Sequence, residues 1–384
     1  MSRRVLQVIT RLNVGGPARI VIPLNESLPS RGFEASLVSG VEGPNEGRIE
    51  PRVPVQVVPT LRRELRPSSD MAAYRALAAI VRERRPDVVH THMAKAGALG
   101  RLAAHRAHTP AIAHTFHGHV LEGYFSGAVA RSFLAAERRL ARRTHALVAV
   151  SSAVKEELLG LGIGRAEQWR VIPLGLELDP LLAPPPERSA ARASLGLPTA
   201  GPVVGIVGRL VQIKDHDTFL LAAAGLARRR PDVTFAVVGD GELRPELEER
   251  GRRMLGDRIV FTGWVLDLPT LYASIDVVAL TSRNEGTPVA LIEAAAAGVP
   301  AVATAVGGVA DVVLDRVSGA LVRACDAEGV AGEIEALLAD PARASAWGSA
   351  AREHVRHRFA YKRLEDDVVA LYEELIGRTV GSGA

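Results

Sequence analysis

The sequence predicts an α/β chain of two doubly wound, parallel-sheet domains facing each other across a cleft, and three observations carry that expectation. Short β-rich runs alternate with amphipathic helical segments almost throughout, which is the pattern of parallel sheets covered on both faces. A proline-rich break, "PLLAPPPERSAARASLGLPTAG", divides the alternation into two series. The chain has 384 residues, 47% hydrophobic and 4% aromatic, enough for two or three packed domains of about 100–200 residues each.

In the first series, strands are expected at Val5–Thr10, Ala35–Ser39, Val53–Val58, Val88–His90, Ala111–His114, Ala146–Val150 and Arg170–Ile172. Helices fall between several of them, including Asp70–Arg85 and Ser152–Leu161, the latter with Ser151 and Ser152 placed to cap it. The proline-rich joint leaves room for one short helix. The second series predicts strands at Val203–Gly208, Val233–Val238, Arg258–Phe261, Val277–Thr281, Ala301–Thr304 and Gly319–Val322. Three helices follow, Asp326–Ala339, Ala342–His357 and Lys362–Ile376. Ligands of such sheets bind at the carboxyl ends of the strands, so the cleft is the expected active site.

Composition excludes several classes. A single cysteine, Cys325, rules out an intramolecular disulfide and a cysteine-based zinc cluster, and suits a reducing compartment. No apolar run approaches the ~18 residues of a membrane span. The opening "MSRRVLQVIT" is too short in apolar residues for a signal peptide and reads as a first strand. The expected location is cytoplasmic. Basic residues exceed acidic ones only by 47 to 43, and the basic stripe with interleaved aromatics that nucleic acid demands is absent. The one dense basic segment, Arg131–Arg143, reads first as a solvated helix face with Glu137 among its arginines. Its sharper reading is peripheral contact with the anionic inner face of a membrane.

Several stretches can carry chemistry. "RLNVGGPAR" follows the first strand; Gly15 and Gly16 let backbone approach a ligand, and Pro17 can open the next helix, whose free N–H groups attract anions. The third glycine of a dinucleotide fingerprint is missing, which weakens a hydride-transfer reading. "GRLVQIKDHD" begins at Gly208 and sets Arg209 and Lys214 in the loop after the first strand of the second series. Both are long and positive enough to meet a diphosphate. Asp215 and Asp217 imitate a metal-binding Asp-x-Asp, but they open a helix, where acids cap free N–H groups. Five histidines, His90, His92, His114, His117 and His119, follow two neighbouring strands. Without carboxylate or cysteine at ligand spacing they do not read as a zinc site. His117, before the flexible Gly118, reads as a hydrogen-bonding or acid–base group in the cleft.

The stretch "TSRNEGTPVALIEAAAAGVPAVATAVGG", residues 281–308, holds Glu285 and Glu293. Pro288 suits a first helical position with Thr287 as its N-cap, so Glu285 falls in a loop and Glu293 inside the helix. A glycoside hydrolase sets its two carboxylates about 5–9.5 Å apart, whereas eight helical residues span about 12 Å. A hydrolytic pair is therefore disfavoured. Carboxylates bind vicinal hydroxyls, so one glutamate can read a sugar and the other a ribose. Apolar residues surround Glu293 on almost every side, and a buried carboxylate needs a partner.

These residues resemble a known family. The two-domain plan, the Gly-Gly after the first strand, "GRLVQIK", "VGDGEL", "FTGWV", and Glu-x7-Glu followed by "GVPAVATAVGG" are similar to GT-B glycosyltransferases of family 4 over nearly the whole chain. The resemblance implies two Rossmann-like domains: an acceptor-binding domain at 1–180, a nucleotide-sugar-binding domain at 181–361, and a helix at 362–384 crossing back to the first. It implies transfer of a sugar from a nucleoside-diphosphate sugar, with UDP the expected nucleotide. Transfer would retain the anomeric configuration, without a bound metal or cofactor. The acceptor is a lipid-linked or polysaccharide intermediate or a small natural product. Residues matching Arg209 and Lys214 bind the diphosphate and stabilise the leaving group, and Glu285 contacts hydroxyls of the transferred sugar. Glu293 holds the ribose, His117 approaches the sugar from the acceptor domain, Gly16 lies near the phosphates, and backbone around Val265 meets the base. The donor set expected here comprises Gly15, Gly16, Gly208, Val265, Thr287, Pro288, Val289 and Glu293.

The chain departs from the family pattern twice. Thr287–Pro288 stands where Phe-Gly is frequent, which leaves the sugar open, and Asp215 stands where glycine often follows the lysine. The second departure is expected to alter only a helix cap. Two other readings compete. A sugar-nucleotide epimerase can share the two-domain plan but needs acids poised at the sugar ring. A non-catalytic sugar-nucleotide-binding subunit would tolerate loss of His117 or Lys214, and both positions are filled.

Overall fold

Strand β1 (Arg3–Ile9) buries Val5, Leu6, Val8 and Ile9 together, so both of its faces are covered, as a strand flanked by helices on either side requires. The computed structural model describes residues 3–13, 16–43, 47–118 and 127–381. They divide into two compact units, Met1–Leu176 with Tyr361–Ala384, and Glu177–Ala360.

The first unit adds β2 (Phe33–Ser39), β3 (Val55–Val57), β4 (Val88–His92), β5 (Ala111–Phe116), β6 (Ala146–Ala149) and β7 (Trp169–Val171). They form one parallel sheet in the order β3-β2-β1-β4-β5-β6-β7. The chain order reverses between β1 and β4, the point at which such sheets open a crevice for ligands. The second unit repeats the plan with β8 (Val203–Val207), β9 (Thr234–Val238), β10 (Ile259–Gly263), β11 (Val277–Leu280), β12 (Ala301–Thr304) and β13 (Gly319–Val322). Its order is β10-β9-β8-β11-β12-β13, again parallel, and the reversal lies between β8 and β11. Phe219, Leu226, Phe235, Val237, Val330 and Ile334 pack one side of this sheet into a closed core.

Some expectations shift. The proline-rich joint holds two short helices, Asp179–Leu182 and Arg188–Ser194, rather than one. Ser151 does cap the helix Ser152–Gly160, its Oγ accepting from the N–H of Val154 at 3.1 Å. Strands β4 and β5 run two residues longer than the apolar runs suggest, because each is paired on both edges. His92 therefore stands inside a strand rather than after it, and His90 and His114, expected as last strand residues, lie within theirs.

Glu137 also departs from the solvated-face reading. Within the helix Gly127–Ala141, Arg131, Arg138 and Arg139 are exposed, but Glu137 is buried. Its carboxylate takes both bonds from one guanidinium nitrogen of the fully buried Arg101, at 2.8 and 2.6 Å. A buried guanidinium needs such a counter-charge, since isolated it would cost several kcal/mol. No helix among the described residues is long and apolar enough to cross a membrane.

The last helix, Tyr361–Gly381, packs on β4 and β5 and completes the first unit. Arg31 pairs with Glu365 and Asp366 at 2.8 and 2.7 Å, Arg170 with Glu374 at 2.5 Å, and Ser27 with the Tyr361 hydroxyl at 2.6 Å. The deepest tie is buried: the Tyr372 hydroxyl meets His90 Nδ1 at 2.7 Å, and Thr115 Oγ1 holds the other ring nitrogen at 2.7 Å. Burial, aided by the neighbouring His117, lowers the His90 pKa to about 3. Burial pushes His114 well down too, and Thr91 holds its Nδ1 at 2.9 Å.

These neutral histidines make stability depend on pH with a definite sign. The unfolded chain protonates them near 6.5, whereas the folded unit refuses the proton until close to pH 3 for His90. Their contribution is complete above about pH 6.5 and is lost progressively as pH falls. The melting temperature is expected to drop steadily from about pH 7 to about pH 5. A flat profile in that window would show that these rings titrate normally.

Candidate functional site

In the second unit, the loops leaving the carboxyl ends of β8 and β11 flank the reversal of strand order. The first carries Gly208, Arg209 and Lys214, and the second carries Glu285, so the structure brings these predicted residues to one edge of one sheet. Lys214 Nζ stands 2.5 Å from Glu285 Oε1, with the side chains 21% and 9% exposed. The Ser282 hydroxyl donates to the same oxygen at 2.6 Å. The ammonium keeps further donors beyond that bond. Arg209 is half-buried, and among the described residues its guanidinium makes no hydrogen bond or ion pair.

Close backbone packing holds both loops. Gly208 N–H donates to Val238 O at 2.9 Å, Leu210 N–H to Asp240 O at 2.9 Å, and Leu243 N–H to Leu210 O at 3.0 Å. A Cβ on Gly239, which has φ 127°, would sit 2.0 Å from Gly208 O, so the "VGDGEL" glycine is what lets these segments touch. On the other loop, Gly308 N–H donates to Glu285 O at 3.1 Å, and the Thr304 hydroxyl to Ser282 O at 2.6 Å. A Cβ on Gly307, at φ 48°, would lie 1.8 Å from Glu285 O. The paired glycines of "AVGG" thus clamp the glutamate loop in place.

Pro288, not Thr287, takes the N-cap position, with ψ 99°, and the helix runs Val289–Ala296. Proline's fixed φ suits either position, and its missing N–H costs nothing there. Leu291 and Ile292 donate back to Pro288 O, so among the described residues Val289 and Ala290 keep the free N–H groups of the helix start. Thr287 is buried. Glu293 is 4% exposed and accepts the Tyr272 hydroxyl at Oε2, 2.9 Å away. Val265 lies half-buried in the loop between β10 and the helix Leu268–Ala273.

Asp215 and Asp217 are engaged by arginines. Asp215 stands at φ 48°, ψ 52° before the helix His216–Arg229, and its side chain makes no cap bond. Its oxygens instead take a fork from Arg283 at 3.1 and 3.2 Å and the Thr218 hydroxyl at 2.9 Å. Burial opposes its charge, but the bonds from Arg283 and Thr218 keep its pKa below the usual carboxylate range. Asp217 accepts from Arg250 at 2.7 Å. The expected capping role fails for Asp215: from its left-handed turn the carboxylate accepts from Arg283 and the Thr218 hydroxyl but from no backbone N–H of the helix.

In the first unit, Gly16 opens the helix Gly16–Ser27, while Gly15 and His119 lie outside the described residues. His117 follows β5, and its Nε2 meets His92 Nδ1 at 3.1 Å. Among the described residues His117 Nδ1 is buried without a partner, and burial lowers its pKa to about 4. The ring is therefore neutral near pH 7 and has one nitrogen left to give or accept a hydrogen bond.

Sequence reasoning missed Tyr272, Ser282 and Arg283. Ser282 was accessible, since serine three residues before a glutamate is a recognisable bonding spacing. Tyr272, twenty-one residues from Glu293, left no local signal.

Residues 187–354 match the family described as Glycosyl transferases group 1, and residues 15–175 match the Glycosyl transferase 4-like domain. The chain is 30% identical to a UDP-Gal:alpha-D-GlcNAc-diphosphoundecaprenol alpha-1,3-galactosyltransferase of Escherichia coli, over 82% of each protein. It is 31% identical to a D-inositol 3-phosphate glycosyltransferase of Segniliparus rotundus, over 86% of this chain and 74% of that one. Sucrose-phosphate synthase from Thermosynechococcus elongatus superposes with a TM-score of 0.82 at 25% identity, covering 98% of this chain and all of that one. Two doubly wound parallel sheets, the loops gathered beside β8 and β11, and these likenesses together make the chain a GT-B glycosyltransferase, a member of the group 1 glycosyl transferases.

Proposed function

We propose that this glycosyltransferase takes its sugar from a nucleoside-diphosphate sugar, with UDP the nucleotide, and transfers it with retention of configuration and without a metal or cofactor. The observation that carries the proposal is the pairing of Lys214 with Glu285 at 2.5 Å beside an uncommitted Arg209, on the two loops that flank the strand-order reversal. Two cations at that place suit a diphosphate, and they stabilise the charge that grows on it as the sugar–phosphate bond breaks. The acceptor hydroxyl forms the new bond to the anomeric carbon, and its proton leaves with the diphosphate. Glu285 reads hydroxyls of the sugar, and Glu293, its rotamer fixed by Tyr272, reads the ribose. The free N–H groups at Val289, together with Gly208, Thr287 and Pro288, surround the donor, and Val265 contributes backbone to the base. In this reading the first unit binds the acceptor, and His117 turns to the sugar the Nδ1 that has no partner among the described residues.

The name of the Escherichia coli relative specifies UDP-galactose and a lipid-linked diphosphate acceptor, which supports UDP and a lipid-linked intermediate. The name of the Segniliparus rotundus relative specifies D-inositol 3-phosphate, which supports a small-molecule acceptor as the second reading. The exposed Arg131, Arg138, Arg139 and Arg142 support peripheral contact with an anionic membrane surface.

Replacing Lys214 with alanine is expected to cut turnover by about a hundredfold or more while the circular dichroism of the fold survives. Unchanged turnover would remove the diphosphate role, and loss of wild-type activity in EDTA would restore a metal. In a thermal-shift series of nucleotide sugars, UDP-sugars should raise the melting temperature by mass action; a flat response to all of them would refute the donor class. The protein should sediment with vesicles containing anionic lipid and remain in the supernatant with neutral ones. Equal behaviour in both would dismiss the membrane contact.

A further inference from the structure

The residue directly after Lys214 carries a charge of the wrong sign for a diphosphate site. Asp215 is buried, and its side chain is ionised by its surroundings rather than solvated by water. Arg283 supplies the counter-charge through two parallel bonds at 3.1 and 3.2 Å, while its own guanidinium remains half in solvent. Arg283 belongs to the loop that carries Glu285, and Asp215 to the loop that carries Lys214. Backbone bonds run beside the pair: Arg283 N–H donates to Ile213 O at 2.9 Å, and the Thr281 hydroxyl donates to Asp215 O at 2.9 Å. The Cys325 thiol adds a weak contact to Asp215 Oδ2 at 3.5 Å.

We propose that Arg283 is a positioning residue for the nucleotide diphosphate: it neutralises Asp215 and locks the Lys214 loop against the Glu285 loop. The proposal rests on the reading that Lys214 and Arg209 hold that diphosphate. Two physical effects follow from the pair. The first is electrostatic, because an unpaired carboxylate one residue from the anion-binding lysine repels the donor. The second is conformational. Asp215 occupies left-handed backbone, which costs any residue but glycine some strain although aspartate enters it more readily than most, and the fork from Arg283 with the Thr218 hydroxyl holds it there. A glycine at 215 would take the same turn freely and bring no charge. Arg283 is thus needed only because residue 215 is an aspartate.

The test is a cycle of Arg283→Ala, Asp215→Gly and the double variant, read as donor KM, kcat and UDP affinity by calorimetry below the melting temperature. Arg283→Ala is expected to raise donor KM and weaken UDP binding by about tenfold or more, with kcat changing much less, since it leaves a buried charge unpaired. Asp215→Gly should stay within about threefold of the wild type, and the double variant should return to that level, as coupled neighbours do. Arg283→Lys should recover part of the loss, because it keeps the charge without the fork. A mere surface brace would lower the melting temperature of Arg283→Ala and leave donor KM and UDP affinity unchanged, and that result overturns the proposal. A double variant no better than Arg283→Ala overturns it as well. If Lys214→Ala also binds UDP normally, the diphosphate reading itself has failed. If Lys214→Ala loses affinity while Arg283→Ala keeps it, only the role of Arg283 falls.

Discussion

One ion pair organises the second unit. Lys214 and Glu285 come from loops 71 residues apart in sequence, and each loop is braced by a different glycine contact. Gly239 lets the segment after β9 support Gly208, and Gly307 lets the segment after β12 support Glu285. The parallel order of β8 and β11 sets both loops at the same sheet edge. The charges could not remain this buried without each other and Ser282, because a desolvated ammonium or carboxylate must be paired. Strand order, glycine placement and charge pairing thus serve one geometry.

Much of this was legible in the chain. Strand β8 announces itself as an apolar run bounded by turn residues and β1 as one interrupted only by Gln7, and the proline-rich joint is visible as a change of composition. The loop positions of Arg209, Lys214 and Glu285 follow from where those strands stop. Errors arose where a neighbour in space decides the outcome. His92 reads as a residue past its strand, yet pairing with β1 and β5 extends β4 to include it. Glu137 reads as one acid on a basic, solvated helix, but a buried arginine thirty-six residues away claims it. Asp215 has the composition of a helix cap, and a left-handed turn points it elsewhere. Helix propensity and capping are local signals, whereas the partners of buried charges are set by tertiary contact.

The two glutamates of the 281–308 stretch illustrate the same division. Both are acids near an apolar helix, and sequence separates them only as loop and helix residues. Their surroundings differ more than their positions suggest. Glu285 faces a cation and a hydroxyl, whereas Glu293 is held by the phenol of Tyr272 beneath the helix. Neither environment resembles an acid–base couple sharing one bond.

The return of the last helix to the first sheet bears on how the molecule is made. Residues Glu177–Ala360 are continuous, so the second unit has every one of its strands once that stretch has left the ribosome. The first unit, though synthesised earlier, must wait for Tyr361–Gly381 before Tyr372 can cover His90 and Glu374 can meet Arg170. Until then the β4–β5 face remains uncovered, a period in which exposed apolar strand surface invites non-native association. The order of birth and the order of completion are therefore opposite, and the first unit becomes whole only after the second has been made.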